Sequence, residues 1–439
     1  MNDYRRIADR MADDITAGRL RPGQRLPPQR VFARRRGIAG STAGRVYAEL
    51  VRRGLVVGEV GRGTFVRAAP EGTGRALVEA ATAAPVNLEL NYPCAPGQSE
   101  LLAPALAPLQ RPDVLTEALR PSPATGTSAA RRAAAALLAT PDWRPAPEQL
   151  LFTGNARQAV AATLASLVRP GGRVGVEALT YPVVKEIAAR LGITLVPLAT
   201  DEQGPRPESV AAAHRSAPLA ALYLQPTLHN PTSLTTGPER CRLLARTALD
   251  LGIPVVEDRI WSFLTDDDPL AAHAPGLTHV VDGLSKRVAP GLTVGFVAVP
   301  EARVEAVAAA VRSGGWSAGR FALEAAVRWI EEGAVRRLVA AKRADAARRQ
   351  RVVAEELRDF AVRSDPRAYF AWWELPAPWR ADTFTAAAAA HGIAVTPGPA
   401  FAVDPHRTPD AVRLGLASAP EPDLRRALRT LAGVARGTP

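Results

Sequence analysis

The sequence predicts two folded parts in one chain: three helices with a β-hairpin, then a large α/β domain with a mostly parallel sheet. Three observations carry this. Positive charge gathers at one end: residues 1–67 hold 15 Arg, no Lys and 6 Asp+Glu, a net of +9 out of the chain's +12. Residues 68–86, mainly Ala, Pro, Gly, Thr and Glu, show no period and read as a linker. Beyond them, short apolar runs alternate with helical stretches.

Composition narrows the class. Hydrophobic residues make up 47% of 439, enough for sizeable cores. No uncharged apolar run reaches the roughly 18 residues of a membrane span, and Met-Asn-Asp-Tyr-Arg-Arg is no signal core. Cys94 and Cys241 are too few for a disulfide framework, and no Cys/His cluster has zinc spacing. A cytoplasmic protein without membrane or metal is the expectation.

The basic segment opens with an amphipathic helix over residues 4–17, where Ile7, Met11 and Ile15 recur at helical spacing. A second helix spans 29–36, opened by Pro28 and stopped by Gly37. A third spans 41–53, with Ser41 as its N-cap, Val46, Leu50 and Val51 inward, and Gly54 as its end. Leu55-Val56-Val57 and Thr64-Phe65-Val66 read as strands around Gly61-Arg62-Gly63. This is a winged helix-turn-helix pattern. Its charge suits a polyanion.

The segment closely resembles the DNA-binding domain of the GntR family. The resemblance rests on Gly18-Arg19-Leu20-Arg21-Pro22-Gly23-Gln24-Arg25-Leu26-Pro27, Gln29-Arg30, Gly54-Leu55-Val56 and Gly61-Arg62-Gly63-Thr64-Phe65-Val66. It implies a third helix in the major groove, a wing at the minor groove or backbone, and double-stranded operator DNA as partner. The implied contacts are Arg30, Ser41, Thr42, Arg45, Arg62, Gly63 and Thr64. Gly40 and Gly44 stand where family members often carry arginines, which alters or removes base reading there.

In the large part, strand candidates fall at 150–152, 173–176, 194–196, 221–224, 254–256, 279–281 and 295–299. Ligands of such sheets sit at carboxyl ends of strands, and four polar signals fall there. Thr153-Gly154-Asn155-Ala156-Arg157 passes from strand to helix and offers backbone N–H groups to an anion. His229-Asn230-Pro231-Thr232, Glu257-Asp258 and Ser285-Lys286 follow later strands. Lys286 is one of three lysines, with Lys185 and Lys342, in a chain of 52 arginines. A lysine there suits a task arginine cannot perform: losing its proton and forming an imine with a carbonyl.

Taken in this order, the signals resemble the fold-type I aminotransferases, specifically the aminotransferase-like half of MocR-type regulators, over about residues 87–435. The resemblance implies a smaller C-terminal α+β subdomain from about 320 and pyridoxal 5′-phosphate (PLP) as cofactor. Lys286 would bond the cofactor and serve as the catalytic residue. Asp258 would face the pyridine nitrogen, Asn230 the 3′-oxygen and Tyr181 the ring face. Gly154, Asn155, Ala156 and Ser285 would hold the phosphate, and Arg413 a substrate carboxylate. Thr293 replaces an arginine that usually pairs with the phosphate. Ile260 and Trp261 stand where a tyrosine is usual, and Pro121 where a partner-subunit tyrosine is. Arg287, beside the lysine, is the candidate to restore the lost phosphate bond.

The resemblance therefore implies a homodimeric regulator that senses PLP or an amino compound. The alternative is a working aminotransferase with a vestigial head, and a third reading keeps the large domain only for dimerisation. The head retains nearly its full pattern while the cofactor cup has lost three supports, which favours the regulator.

Overall fold

The computed structural model describes residues 3–16, 19–20, 24–53, 55–59, 63–66, 84–291, 294–405 and 407–438. Helices α1 (Asp3–Thr16), α2 (Gln29–Arg36) and α3 (Gly40–Arg52) close around Met11, Ile15, Phe32, Val46 and Leu50. The inward stripe of α1 is the predicted one, with Ile7 partly buried. Gly37 ends α2 at φ 64°, where a side chain would be strained. Ser41 is not a cap. The helix begins at Gly40 after an extended Ala39, with no side chain bonding its first turn, so Ser41 lies inside it. β1 (Arg25–Leu26), β2 (Val56–Glu59) and β3 (Gly63–Val66) form a sheet in the order β1-β3-β2. Gly54, Gly61, Arg62, Thr293 and most of the linker lie outside the described residues.

The body enters through β4 (Val86–Asn87) and is built on β5 (Leu150–Thr153), β6 (Arg173–Glu177) and β7 (Thr194–Leu198), followed by a ribbon of β8 (Thr200–Asp201) and β9 (Gly204–Pro205). β10 (Ala221–Leu224), β11 (Val255–Asp258), β12 (Thr278–Gly283) and β13 (Gly295–Ala298) complete a seven-stranded sheet, ordered β5-β13-β12-β11-β10-β6-β7. Only β13 in this sheet runs against its neighbours. Every residue of β5, β10, β11, β12 and β13 is buried, as expected of strands covered on both faces.

A second sheet, ordered β14 (Val362–Ser364), β15 (Phe370–Glu374), β18 (Ala411–Gly415) and β17 (Thr396–Pro397), forms the smaller lobe. β16 (Ile393–Ala394) pairs in parallel with β4, tying the start of the body to this lobe. The segment after β4 then lies on β18: a Cβ on Gly415 would come within 2.7 Å of Leu90 O. Two lysines serve as braces between elements. Lys185 donates to Ala400 O (2.9 Å) and Ala402 O (2.8 Å). Lys342, on α6 (Ala334–Glu356), donates to Lys286 O (2.9 Å) and Val288 O (2.8 Å). Burial lowers the Lys342 ammonium to about 8.

His279 on β12 is buried, and among the described residues its ring nitrogens meet no partner of good geometry, the Val255 and Leu277 carbonyls lying near without closing a bond. Burial drops its pKa to about 4. The unfolded histidine therefore takes up a proton the folded one refuses as pH falls below about 6.5. His279→Leu should gain on the wild type by about 2 kcal/mol between neutral pH and about pH 5. Urea unfolding at both pH values checks this, and parallel curves would refute it.

Candidate functional site

The carboxyl ends of the central strands converge. β5 runs through Thr153 and Gly154 into α4 (Ala156–Leu167), whose cap is Asn155: its side chain accepts from Gln158 N at 3.0 Å. Such a helix start presents free N–H groups. It packs hard on β13, since a Cβ on Gly295 would meet Asn155 C at 2.2 Å. Only glycine permits that approach. Ser285 and Lys286 lie on the short helix α5 (Leu284–Arg287) that follows β12.

Asp258, at the end of β11, is buried and accepts three hydrogen bonds. Tyr223 OH donates at 2.6 Å, Gln225 Nε2 at 3.0 Å and Ile260 N at 3.1 Å. Burial raises its pKa and these three donors oppose the rise. Lys286 Nζ donates to Asn91 O at 2.6 Å and lies 4.1 Å from the centroid of the Tyr92 ring and 5.3 Å from that of Trp261. Lys286 keeps some exposed area yet is densely surrounded by protein. That burial, with Arg157, Arg413 and Lys342 nearby, lowers its pKa well below the ordinary lysine value. The shift favours the uncharged, nucleophilic form of the amine.

Asn230 is buried with Oδ1 unpartnered among the described residues. Tyr181 OH accepts from Arg157 Nε at 3.1 Å. Arg413, on β18, donates to Glu89 O and, at 2.8 Å, to Thr396 Oγ1, while its Nε stays unpartnered among the described residues. Burial lowers the Arg413 pKa to about 10. Of these residues, Tyr181, Asp258, Lys286 and Arg413 lie close enough to act on one another's charge, with Arg157 among them.

Arg287 is the exception and corrects the sequence reading. Its guanidinium pairs with buried Asp282 and reaches Ser262 Oγ at 3.5 Å, over the Phe263 ring. A cation committed to a buried carboxylate is not free for a phosphate. Tyr223, Gln225, Arg157 and the Glu89–Tyr92 segment were missed. Arg157 stood inside the strand-to-helix motif and was the readable one. Tyr223 looked like core, and the segment's role depends on contacts 195 and 324 residues away in sequence.

In the head, Arg30, Ser41 and Arg45 are exposed and Thr42, Gly63 and Thr64 are partly so. Gly63 has φ 123°, and a Cβ there would meet Arg25 Nε at 2.7 Å, so an arginine overlooked in the sequence lies against the wing. Among the described residues no helix is long and apolar enough to cross a membrane. No group of three or more His, Cys, Asp or Glu among them could hold a metal ion.

The mostly parallel sheet carrying Asp258 and Lys286, and the three-helix head with its hairpin, have the layout of an aminotransferase fold joined to a winged helix. Residues 87–431 match the family model "aminotransferase class I and II", and residues 3–66 match "bacterial regulatory proteins, gntR family". The chain belongs to the aminotransferase class I and II family, with a gntR-type head in the layout of MocR-type regulators. It is 28% identical over 416 residues to the uncharacterized HTH-type transcriptional regulator YdeF of Bacillus subtilis, covering 94% of this chain and 90% of that one. It is 25% identical over 447 residues to the vitamin B6 salvage pathway transcriptional repressor PtsJ of Salmonella typhimurium, covering 97% and 94%. In fold it is similar to LysN, an α-aminoadipate aminotransferase from Thermus thermophilus complexed with N-(5′-phosphopyridoxyl)-L-leucine. The TM-score is 0.71 at 22% identity, covering 80% of this chain and 92% of that one. An archaeal alanine:glyoxylate aminotransferase gives a TM-score of 0.73 at 19% identity, covering 80% and 90%.

Proposed function

We propose that this chain is a DNA-binding transcriptional regulator whose body binds PLP through Lys286 and senses PLP or an amino compound. The observation that carries this is the enclosed Lys286 amine, bonded to Asn91 O against the Tyr92 and Trp261 rings, together with the buried, triply bonded Asp258 at the end of β11. The site fits the cofactor. The glycine-permitted helix start of α4 and Ser285 would hold its phosphate, Asp258 its pyridine nitrogen, the Asn230 side-chain N–H its 3′-oxygen and Tyr181 its ring face. When bound, PLP supplies an electron sink for charge developed next to a captured amine. Lys286 offers the nucleophile and a proton acceptor. Arg413, with Nε still free, would orient a carboxylate. Trp261 and Tyr92 shield the amine from water.

The head would place α3 in the major groove of an operator, and a homodimer would match two half-sites. Its setting is the cytoplasm, at the nucleoid when bound. Fluorescence anisotropy on the upstream DNA, with PLP-loaded and stripped protein and added amines, tests the reading. A ligand-dependent affinity is expected. Affinity indifferent to PLP and amines would sink the sensor, and no specific binding would sink the regulator. Arg45→Ala should weaken binding on all sequences and reduce the salt slope by about 1. An unchanged slope would remove Arg45 from the interface.

A second reading, a working aminotransferase, is favoured by the same enclosed amine with Arg413 nearby. Steady turnover of an amino donor with a keto acid would establish it.

A further inference from the structure

Behind Asp258 lies a second buried carboxyl that the site as described does not use. Glu177 ends β6, Asp258 ends β11, and β10 runs between them in parallel register, with Tyr223 opposite Val176 and Leu224 opposite Glu257. The next residue, Gln225, bonds both acids. Its backbone N–H donates to Glu177 Oε1 at 2.8 Å, and its side-chain Nε2 donates to Asp258 Oδ2 at 3.0 Å. Glu177 is 3% exposed and Asp258 5%, and neither has an ion-pair partner among the described residues. Two charges joined through one residue and largely buried repel, so the pair favours one proton between them.

The hydrogen bonds decide where that proton sits. Asp258 accepts three donors, including a tyrosine hydroxyl. Glu177 Oε2 has no partner among the described residues, nor does Gln225 Oε1. An orphan carboxyl oxygen and an orphan acceptor on residues lining one cavity suit a carboxyl hydroxyl, with water between. Both residues line a cavity of about 40 Å³, room for roughly two or three waters, together with the Thr232 and Thr236 side chains. Its rim is the β8–β9 ribbon and Arg363.

We propose that Glu177 is a positioning residue that carries the proton of this pair, leaving Asp258 the sole anion, and that the cavity is the water path by which it exchanges that proton. The role rests on the reading that Asp258 faces the cofactor's pyridine nitrogen. The other ionisable groups around Glu177 do not compete. His229 uses both ring nitrogens, on Thr232 Oγ1 and Leu179 O, and burial drops its pKa to about 4. Tyr223 is pushed up by burial and by both acids, so it keeps its hydroxyl. Asp201 is paired with Arg240 at 3.0 Å, and Arg363 lies 3.6 Å from Glu374 at the surface. Burial raises the Glu177 carboxyl, the backbone N–H groups of Gln225 and Glu177 oppose the rise, and the Asp258 charge adds a smaller upward push, leaving it at about 7.

The sign follows. A carboxyl raised in the folded state holds its proton there and loses it when unfolded, so stability falls as pH climbs from about 4.5 through about 7. Glu177→Gln cannot ionise. In full-length protein without PLP, the thermal midpoint of E177Q should track the wild type near pH 5 and exceed it by several degrees above about pH 7. Curves that stay parallel across this range overturn the proposal. Infrared spectra of wild-type protein in deuterated buffer give a second measurement, useful if E177Q folds poorly. A buried protonated carboxyl band that vanishes with a midpoint near neutral is expected, and its absence at every pH also overturns the proposal. With PLP added, the visible spectrum of wild type should change near neutral pH and that of E177Q should not. If neither protein shows a visible band, the cofactor reading fails while the first two measurements still decide on Glu177.

Discussion

Lys286→Ala should abolish the visible absorption band of PLP-treated protein and let the cofactor dialyse away. The wild-type amine is poised for the bond: burial and three neighbouring cations lower its pKa well below the ordinary lysine value, which favours the nucleophilic neutral form. Alanine leaves only noncovalent contacts. A loss of about 3 kcal/mol alone would weaken retention by more than 100-fold. Lys286→Arg should fail equally, since a guanidinium keeps its proton. Retention after dialysis, with far-ultraviolet circular dichroism as control for folding, measures the effect. A band that survives in K286A would move the attachment elsewhere and remove the basis of the proposed function.

Arg287→Ala should cost the fold about 3–5 kcal/mol, because it strands Asp282 as a buried charge without its cation. Both side chains are nearly inaccessible, at 8% and 0% exposure. The thermal midpoint of the PLP-free protein should fall by roughly ten degrees. Adding Asp282→Asn should recover part of the loss, since the second change removes the uncompensated charge. The opposite pattern, an unshifted midpoint with lost PLP retention, would return Arg287 to the phosphate role that the sequence suggested.

These two arginine and lysine neighbours show what a sequence can and cannot convey. The three head helices were legible because Met11, Ile15, Val46 and Leu50 repeat at helical spacing and Gly37 demands a left-handed stop. The order of the body strands' chemistry was legible too, since Asp258 and Lys286 follow apolar runs that could only be buried strands. What failed was direction and distance. Nothing in the sequence says that Arg287 turns to Asp282 while Lys286 bonds Asn91 O. β1 is two residues long, below any period. The reversal of β13 among parallel strands arises from its short return after α5, which alternation of strands and helices does not encode. Glu89, Asn91 and Tyr92 reach the site only because β4 pairs with β16, a contact across some 300 residues.

The braces made by Lys185 and Lys342 have a corollary for protein chemistry. Each of those ammonium groups is tied to two carbonyls at 2.8–2.9 Å, while Lys286 Nζ is tied to one and has its pKa pushed well below the ordinary lysine value. An amine-directed reagent should therefore favour Lys286 among the three lysines. Proteolysis at its 52 arginines would isolate that label in one short peptide. Covalent capture at Lys286 can thus be read by mass alone, without a mutant and without an assay of turnover.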